Sequence, residues 1–410
     1  MRYLYVVSVL LLGTLCPIEV LSAPNNTKQI VLEAESFLES SQPVEIKKGC
    51  VLVQKNDWLR YKVNIPSAGR YKVEVFGGKS KVGIWIEDYI FNTDGRTYNI
   101  TGNLKLSTKS SGLFSGMVDG SPLNEGVHDI KIHSKGKLKI DRILFTRIQK
   151  HHISPRILEQ NMSGDNWELV WSDEFEKEGL PDTNNWSYNI GNWGWGNNEL
   201  QYYRDANTNN SRVENGNLII QATKDDKTGE WSSARLTTQG KASFTYGKIE
   251  FRAKVPTTRG TWAAGWLLGE SYRDEVSWPY CGEIDVLECV GFEIDDVTGN
   301  GLNHATCHTR AYYFKQGNQI GSDTALLAMN TTYHTYAVEW YPDVIYGLID
   351  GVRYYTYDKN ANQLEWPFNN PQSIIVNLAI GGGWGGAKGL ADNLKDPQYI
   401  IDYVRVYQLK

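Results

Sequence analysis

The sequence predicts an all-β protein built from two β-sandwiches. Three observations carry this. Apolar residues alternate with polar ones over short runs, Gly, Asn, Asp and Pro punctuate those runs, and no long stretch shows helical period with caps. The run Leu59-Arg60-Tyr61-Lys62-Val63-Asn64-Ile65 alternates strictly, and so does Tyr71-Lys72-Val73-Glu74-Val75. Further along, Ile249, Phe251, Ala253 and Val255 alternate with Glu250, Arg252 and Lys254. No internal repeat of 20–50 residues is evident. At 410 residues with 41% hydrophobic content, the chain is long enough for two cores.

Composition divides the chain near residue 150. Two of the 14 Trp, Trp58 and Trp85, precede it. Residues 28–150 hold 20 Lys and Arg against 13 Asp and Glu, whereas residues 151–410 hold 21 against 33. Residues 150–165, KHHISPRILEQNMSGD, lack periodicity and read as a linker. The expected organisation is a small sandwich over 25–148, a linker over 149–165 and a larger sandwich over 166–410.

The first residues read as an export signal over 1–22. Met1-Arg2 opens it, an apolar run follows from Tyr3 to Leu15, and cleavage falls after Ser22. Simple secretion, extracellular or periplasmic, is favoured over lipoprotein processing at Cys16, because Leu15 stands where a small residue is wanted. No later apolar run is long enough to span a membrane. The net charge of −5 gives no overall cationic field for nucleic acid. Cys50, Cys281, Cys289 and Cys307 show no paired zinc spacing, and their pairing is left open. The chain is expected to act as a monomer.

The chemistry-bearing segment is Cys281-Gly-Glu-Ile-Asp-Val-Leu-Glu-Cys-Val-Gly291. Glu283 and Asp285 share one strand face, with Ile284 and Val286 on the other. Plain alternation would then place Leu287 among the carboxylates and bury Glu288 in apolar packing, which costs several kcal/mol for an unpaired charge. A β-bulge near Val286–Leu287 resets the parity, so Glu283, Asp285 and Glu288 face one cleft. Mutual repulsion among three acids raises at least one pKa and leaves an acid beside a carboxylate. Glycoside hydrolysis needs that pair, and a hard cation is the alternative reading of three carboxylates. The near-copy Glu293-Ile-Asp-Asp296 lacks the third acid and reads as loop.

Sugars present apolar faces rimmed by hydroxyls, so clefts for them combine flat aromatics with amide and guanidinium donors. Trp193, Trp195, Trp278 and Trp384 lie in Gly-, Asn- or Pro-rich segments and are candidate glycan contacts. Trp171 and Trp340 lie in apolar strand contexts and read as core. His304-Ala-Thr-Cys-His308 is weak as a zinc motif and reads as a cleft strand, with His308 toward the acids. The Gly381–Gly386 run lacks the Lys-Ser/Thr of a phosphate loop, and no Gly-x-Ser-x-Gly elbow is present.

With these residues in view, the segment from about Trp167 to Lys410 resembles glycoside hydrolase family 16, in its laminarinase-like branch. The likeness runs through WSDEF (171–175), GWGNNELQYY (194–203), VENGNLII (213–220), GKIEFRAKV (247–255), TWAAGWLLG (261–269), GEIDVLE (282–288), NLAIGGGWGG (377–386) and IDYVRVY (401–407). The resemblance implies a larger, concanavalin-like catalytic jelly roll that hydrolyses β-1,3-glucan or mixed-linkage β-glucan with retention and needs no catalytic cofactor. It implies Glu283 as nucleophile, Glu288 as general acid/base and Asp285 as their helper. Asn198, Arg235, Trp262, Trp266, Trp278, His308 and Trp384 resemble cleft residues by position. A structural calcium would fall to Glu174, the Gly216 carbonyl and Asp402. Other polysaccharides, such as agarose or carrageenan, and non-catalytic glucan recognition are the rival readings. Residues 29–148 resemble carbohydrate-binding module family 6 more weakly, with Glu33, Glu35 and Asp141 as an implied calcium set and Trp58, Trp85 and Tyr89 as candidate glycan contacts.

Overall fold

A computed structural model describes residues 29–78, 83–88, 99–108, 114–151, 156–159, 166–272, 278–359 and 364–410. The expected export signal, Cys16 and Tyr89 lie outside the described residues. No helix among the described residues is long and apolar enough to cross a membrane.

The described residues are all-β, with three single-turn 3₁₀ segments among them. Residues 29–150 form two facing antiparallel sheets of seven and five strands. The strands whose alternation is clearest, Trp58–Ile65 and Gly126–Ser134, lie side by side in the five-stranded sheet. Leu59, Tyr61, Val63 and Ile65 point into the core and Lys62 and Asn64 out. On the outward face Trp58, His133 and Trp85 are cross-strand neighbours, and Trp85 stacks on His133 with ring centroids 3.9 Å apart.

The second sandwich is larger. Its site-bearing sheet uses β1 (Arg235–Thr237), β2 (Ala242–Thr245), β3 (Thr261–Gly269), β4 (Glu283–Val290), β5 (Gly301–His308), β6 (Ile320–Leu326) and β7 (Gln372–Ile380). Their spatial order is β2-β7-β3-β4-β5-β6, with β1 also paired to β7. Strand β7 lies within the sheet between β2 and β3 and is buried at every position, which fits its unbroken apolar run Ile374-Ile-Val376. The opposing sheet includes Gly247–Lys254, His334–Trp340 and Gln398–Leu409, whose inward residues Ile249, Phe251, Val338, Trp340, Val404 and Val406 fill the core. Trp171 and Trp340 are core residues, as their contexts predict. A Cβ on Gly265 of β3 would stand 3.1 Å from the Phe251 ring, so glycine there lets the two sheets close beneath the site.

The segment between the sandwiches departs from a structureless linker. The strand Leu138–Lys150 continues to its last residue, and Arg156–Glu159 adds a parallel strand to the edge of the site-bearing sheet beside β2. Parallel pairing needs no turn signal, so nothing in the local sequence announces it.

The pairing of β3 with β4 carries the bulge expected from the acid spacing. Gly265 pairs with Leu287 and Trp266 with Asp285, so Val286 is the extra residue. The β4–β5 ladder covers only Glu283, Ile284 and Asp285. Past it, the fully buried Asn303 side chain replaces ladder bonds: its Oδ1 accepts from the Glu288 N–H at 3.1 Å and its Nδ2 donates to the Val286 carbonyl at 3.1 Å. Replacing Asn303 by Ala strands both backbone groups in the core. The expected loss is about 2–4 kcal/mol, read by chemical denaturation of the full chain, with Asn303→Asp rescuing less than half because it restores only the acceptor.

Candidate active site

The bulge turns Glu283, Asp285 and Glu288 to one side of β4, where all three line a single cavity. Ile284, Val286 and Leu287 are buried at 2% exposure or less on the core side. Indole donors hold two of the acids: Trp278 Nε1 donates to Glu283 Oε2 at 3.1 Å, and Trp262 Nε1 to Glu288 Oε1 at 3.1 Å. The His308 Nε2 lies 3.4 Å from Asp285 Oδ2 and 3.9 Å from Glu283 Oε1. Burial lowers the His308 pKa to about 4, so at neutral pH the ring is uncharged and these contacts are not ion pairs.

Burial is the largest cause raising each carboxyl. It lifts Glu283 to about 8, with repulsion from Glu288 adding to it and Arg235 and the Trp278 donor opposing it. It lifts Glu288 to about 7 against the Trp262 donor, with a smaller push from Glu293. Asp285 is raised as well, by burial and then by Glu283 and Glu288. The cluster therefore retains protons near neutrality while its members differ in the partners that select their ionised forms.

The other expected glycan contacts divide into four groups. Arg235, Trp262, Trp266 and Trp278 line the cavity with the acids. Arg235 lies between two rings, 4.7 Å from the Trp266 centroid and 4.8 Å from that of Trp195. Trp384 is half-buried and packs edge-on against Trp262, 5.5 Å between centroids, and against His304 at 4.8 Å, and it is not among the residues lining the cavity. Asn198 is solvent-exposed at a left-handed turn with φ 58°, and its neighbours Asn197 and Glu199 line the cavity instead. The turn rotates the Asn-Asn pair by one position, which spacing alone does not reveal. Trp193 and Trp195 are 4% and 7% exposed and join the hydrophobic core of the first sandwich. They border the cavity but are not open stacking platforms.

Sequence reasoning missed Glu199, Asn377, Tyr272, Phe314 and Asn99, all of which line the cavity. Asn377 accepts from the Trp266 indole at 2.8 Å. Glu199 accepts from Gln201, Asn197 and Tyr203, and burial raises its pKa. Its place in Asn197-Asn-Glu-Leu-Gln201, a polar run otherwise buried at Gln201, was the available signal.

The calcium donors implied by resemblance do not fit a cation site as they stand. Arg405 holds both oxygens of Glu174, at 2.9 and 2.8 Å, and Arg252 is paired to Asp402. Both carboxylates are already neutralised, so no chemistry is routed through a metal there. Among the described residues, the one cluster of three metal-ligand side chains is Glu283, Asp285 and His308. No disulfide joins the described cysteines Cys50, Cys281, Cys289 and Cys307.

A jelly roll bearing paired, buried carboxyl groups beside indole and guanidinium donors defines a glycoside hydrolase. The chain belongs to the glycosyl hydrolases family 16, whose sequence profile matches residues 198–405. It is 45% identical over 250 residues to a beta-glucanase of Rhodothermus marinus, covering 59% of this chain and 85% of that protein. Among solved structures it is similar to the laminarinase from Rhodothermus marinus, with TM-score 0.56 and 44% identity over 59% of this chain and 98% of that one. The laminarinase from Flavobacterium sp. UMI-01 gives TM-score 0.53 and 38% identity, covering 59% and 100%.

The raised acids make a stability prediction. A folded pKa near 7–8 against an ordinary 4.5 means the native state holds its protons more tightly than the unfolded chain. That contribution is fully present below about pH 4.5 and is lost as pH rises through 7–8. Glu283→Gln should therefore raise Tm over wild type at pH 8.5 and leave it nearly unchanged at pH 4.5, by differential scanning calorimetry. Equal shifts at both pH values would show that Glu283 is not strained by ionisation.

Proposed function

We propose that the protein is a secreted endo-glucanase that hydrolyses β-1,3-glucan, and mixed-linkage β-1,3-1,4-glucan, by double displacement with retention. The observation that carries this is the single strand face on which Glu283, Asp285 and Glu288 meet, with an indole N–H on each glutamate. The names of the relatives support the substrate class, and the apolar start of the sequence supports export.

In this reading Glu283 attacks the anomeric carbon. The Trp278 indole and the nearby Arg235 charge favour its ionised form, which the nucleophile requires. Glu288 protonates the departing glycosidic oxygen and then takes a proton from the incoming water. Its cavity position and its pKa, raised to about 7, suit that alternation near neutral pH. Asp285 lies between them and is held protonated by burial, so its hydroxyl is a donor that orients the nucleophile's carboxylate. Arg235, Trp262 and Trp266 offer donors and ring edges to the sugar hydroxyls and faces.

The test is reducing-sugar release with product sizing on laminarin, barley mixed-linkage glucan, lichenan, agarose, carrageenan and xyloglucan. Early release of mixed oligosaccharides from laminarin, with the β-anomer first by proton NMR, is expected. Activity confined to a galactan would replace the substrate. An initial α-anomer would replace the mechanism. Glu283→Gln and Glu288→Gln should each lower kcat on laminarin by at least about a thousandfold. Wild-type turnover by either variant would remove that residue from the chemistry.

A further inference from the structure

The first sandwich is not a separate bead on the chain. Its Asp119 and the second sandwich's Asn192 exchange two hydrogen bonds: the Asp119 N–H donates to Asn192 Oδ1 at 2.9 Å, and the Asn192 N–H to the Asp119 carbonyl at 3.0 Å. The Tyr202 hydroxyl donates to Asp119 Oδ2 at 3.0 Å. Gly120 and Gly191 make the approach possible, since a Cβ on Gly120 would stand 2.2 Å from the Ile190 carbonyl oxygen and one on Gly191 2.3 Å from that of Asp119. Arg70 is buried, donates to the Gly120 carbonyl at 3.3 Å and places its guanidinium 4.7 Å from the centre of the Trp195 ring. Trp193 and Trp195 complete the seam as members of the first sandwich's core.

This seam brings one residue of the first sandwich, Asn99, to the wall of the cavity that holds the catalytic acids. The turn carrying it is pinned. Asn99 Oδ1 accepts from the N–H groups of Thr101 and Gly102 at 3.1 and 2.9 Å. Thr101 is buried, and its hydroxyl accepts from the Ile86 N–H at 3.0 Å. The Ser121 hydroxyl donates to the Ile100 carbonyl at 2.6 Å. Gly102, at φ +63°, lets the turn approach the Trp193 carbonyl, where a Cβ would stand 3.1 Å from its oxygen. With its oxygen engaged by backbone, the Asn99 amide nitrogen is the group left to donate to a ligand. An oriented amide at the edge of an aromatic-lined cavity is the usual chemistry for a sugar hydroxyl.

We propose that the first sandwich supplies a glycan subsite to the active cleft, with the Asn99 amide as its hydrogen-bond donor to a sugar remote from the cleaved bond. The inference rests on the glycan-hydrolase reading and adds to it that the two sandwiches bind one polysaccharide chain together. It also accounts for the burial of Trp193 and Trp195, which serve as the seam that positions Asn99.

The test uses the full chain and its Asn99→Asp variant, which keeps the oxygen that pins the turn and loses the amide donor, with laminari-oligosaccharides of two to eight sugars, or the corresponding series from whichever panel glycan the wild type cuts. Losing one donor should raise KM about five- to tenfold for oligosaccharides long enough to reach the subsite. Shorter ones should be unaffected, and kcat and Tm should be unchanged. Asn99→Gln, whose longer amide reaches the same region, should recover part of the loss. An effect equal at every length, or none at any length, overturns the subsite. So does an effect that accompanies a lower Tm and disappears when KM is measured well below the melting range. The same series is titrated by calorimetry on the Glu283→Gln background, which reads binding without turnover. Cleavage or binding by wild type without a length-dependent Asn99 effect sinks this inference alone. A protein that neither cleaves nor binds any glycan overturns it together with the proposed function.

Discussion

The site depends on one irregularity, the extra residue at Val286. A regular β4 would hold Glu283 and Asp285 over the cavity and drive Glu288 into the core. The bulge turns Glu288 outward and Leu287 inward. A bulge leaves ladder groups without partners, and a buried unpaired N–H or carbonyl costs more than a hydrogen bond gains. Asn303 resolves this from the neighbouring strand, with its amide matching one acceptor and one donor of β4. The Tyr354 hydroxyl accepts from the same Nδ2 at 2.9 Å and fixes the amide in turn. The position of the acid is thus set by a buried hydrogen-bond network and not by the acid itself.

That separation of roles matters because the acids gain little from being where they are. Burial raises all three, and they repel one another. Folding energy for the cluster comes from elsewhere: from Ile284, Val286 and Leu287 on the reverse face, from the buried strand β7 in the same sheet, and from Phe251 packed under Gly265. The sandwich core carries strained chemistry on its surface, as expected where activity needs groups held in unfavourable protonation states.

Much of this was legible in the sequence, and the reasons differ by element. Period-two runs gave both sandwiches because half-buried strands must alternate. The bulge was legible because alternation failed at a place where failure had a definite cost, a buried glutamate. The inward-facing cleft residues Arg235, Trp262 and Trp266 followed from family resemblance. What was not legible lies at contacts between distant segments. Arg156–Glu159 became a strand only because β2 offers an edge to it. The loop tryptophans Trp193 and Trp195 looked exposed because Gly and Asn surround them, yet one of those glycines, Gly191, serves close approach of another sandwich. Glycine enrichment marks both open loops and tight junctions, and a single sequence cannot separate the two. The partners of Glu174 and Asp402 were hidden for a related reason: Arg405 and Arg252 are remote from them in sequence.

The remaining question is how three similar acids take different roles. Their burial is nearly equal, so burial cannot distinguish them. Their partners can. Glu283 has an indole donor and the Arg235 guanidinium, both of which favour an anion. Glu288 has an indole donor but the Glu293 charge against it. Burial and repulsion from Glu288 still hold Glu283 at about 8, above the value of about 7 for Glu288, so the free site does not by itself set the order in which the two ionise. Asp285 has no favouring charge and faces a neutral His308, so it is the member most readily kept protonated. Arg235 is therefore the asymmetry of the site. It is held by Asn189, which accepts from its Nε at 3.1 Å, and by the rings of Trp195 and Trp266. Trp195 is in turn fixed by Arg70 of the first sandwich. The cation that favours the ionised form of Glu283 thus rests on a stack whose last member belongs to the other sandwich, and the junction between sandwiches supports the electrostatics of the acids as well as the shape of the cleft.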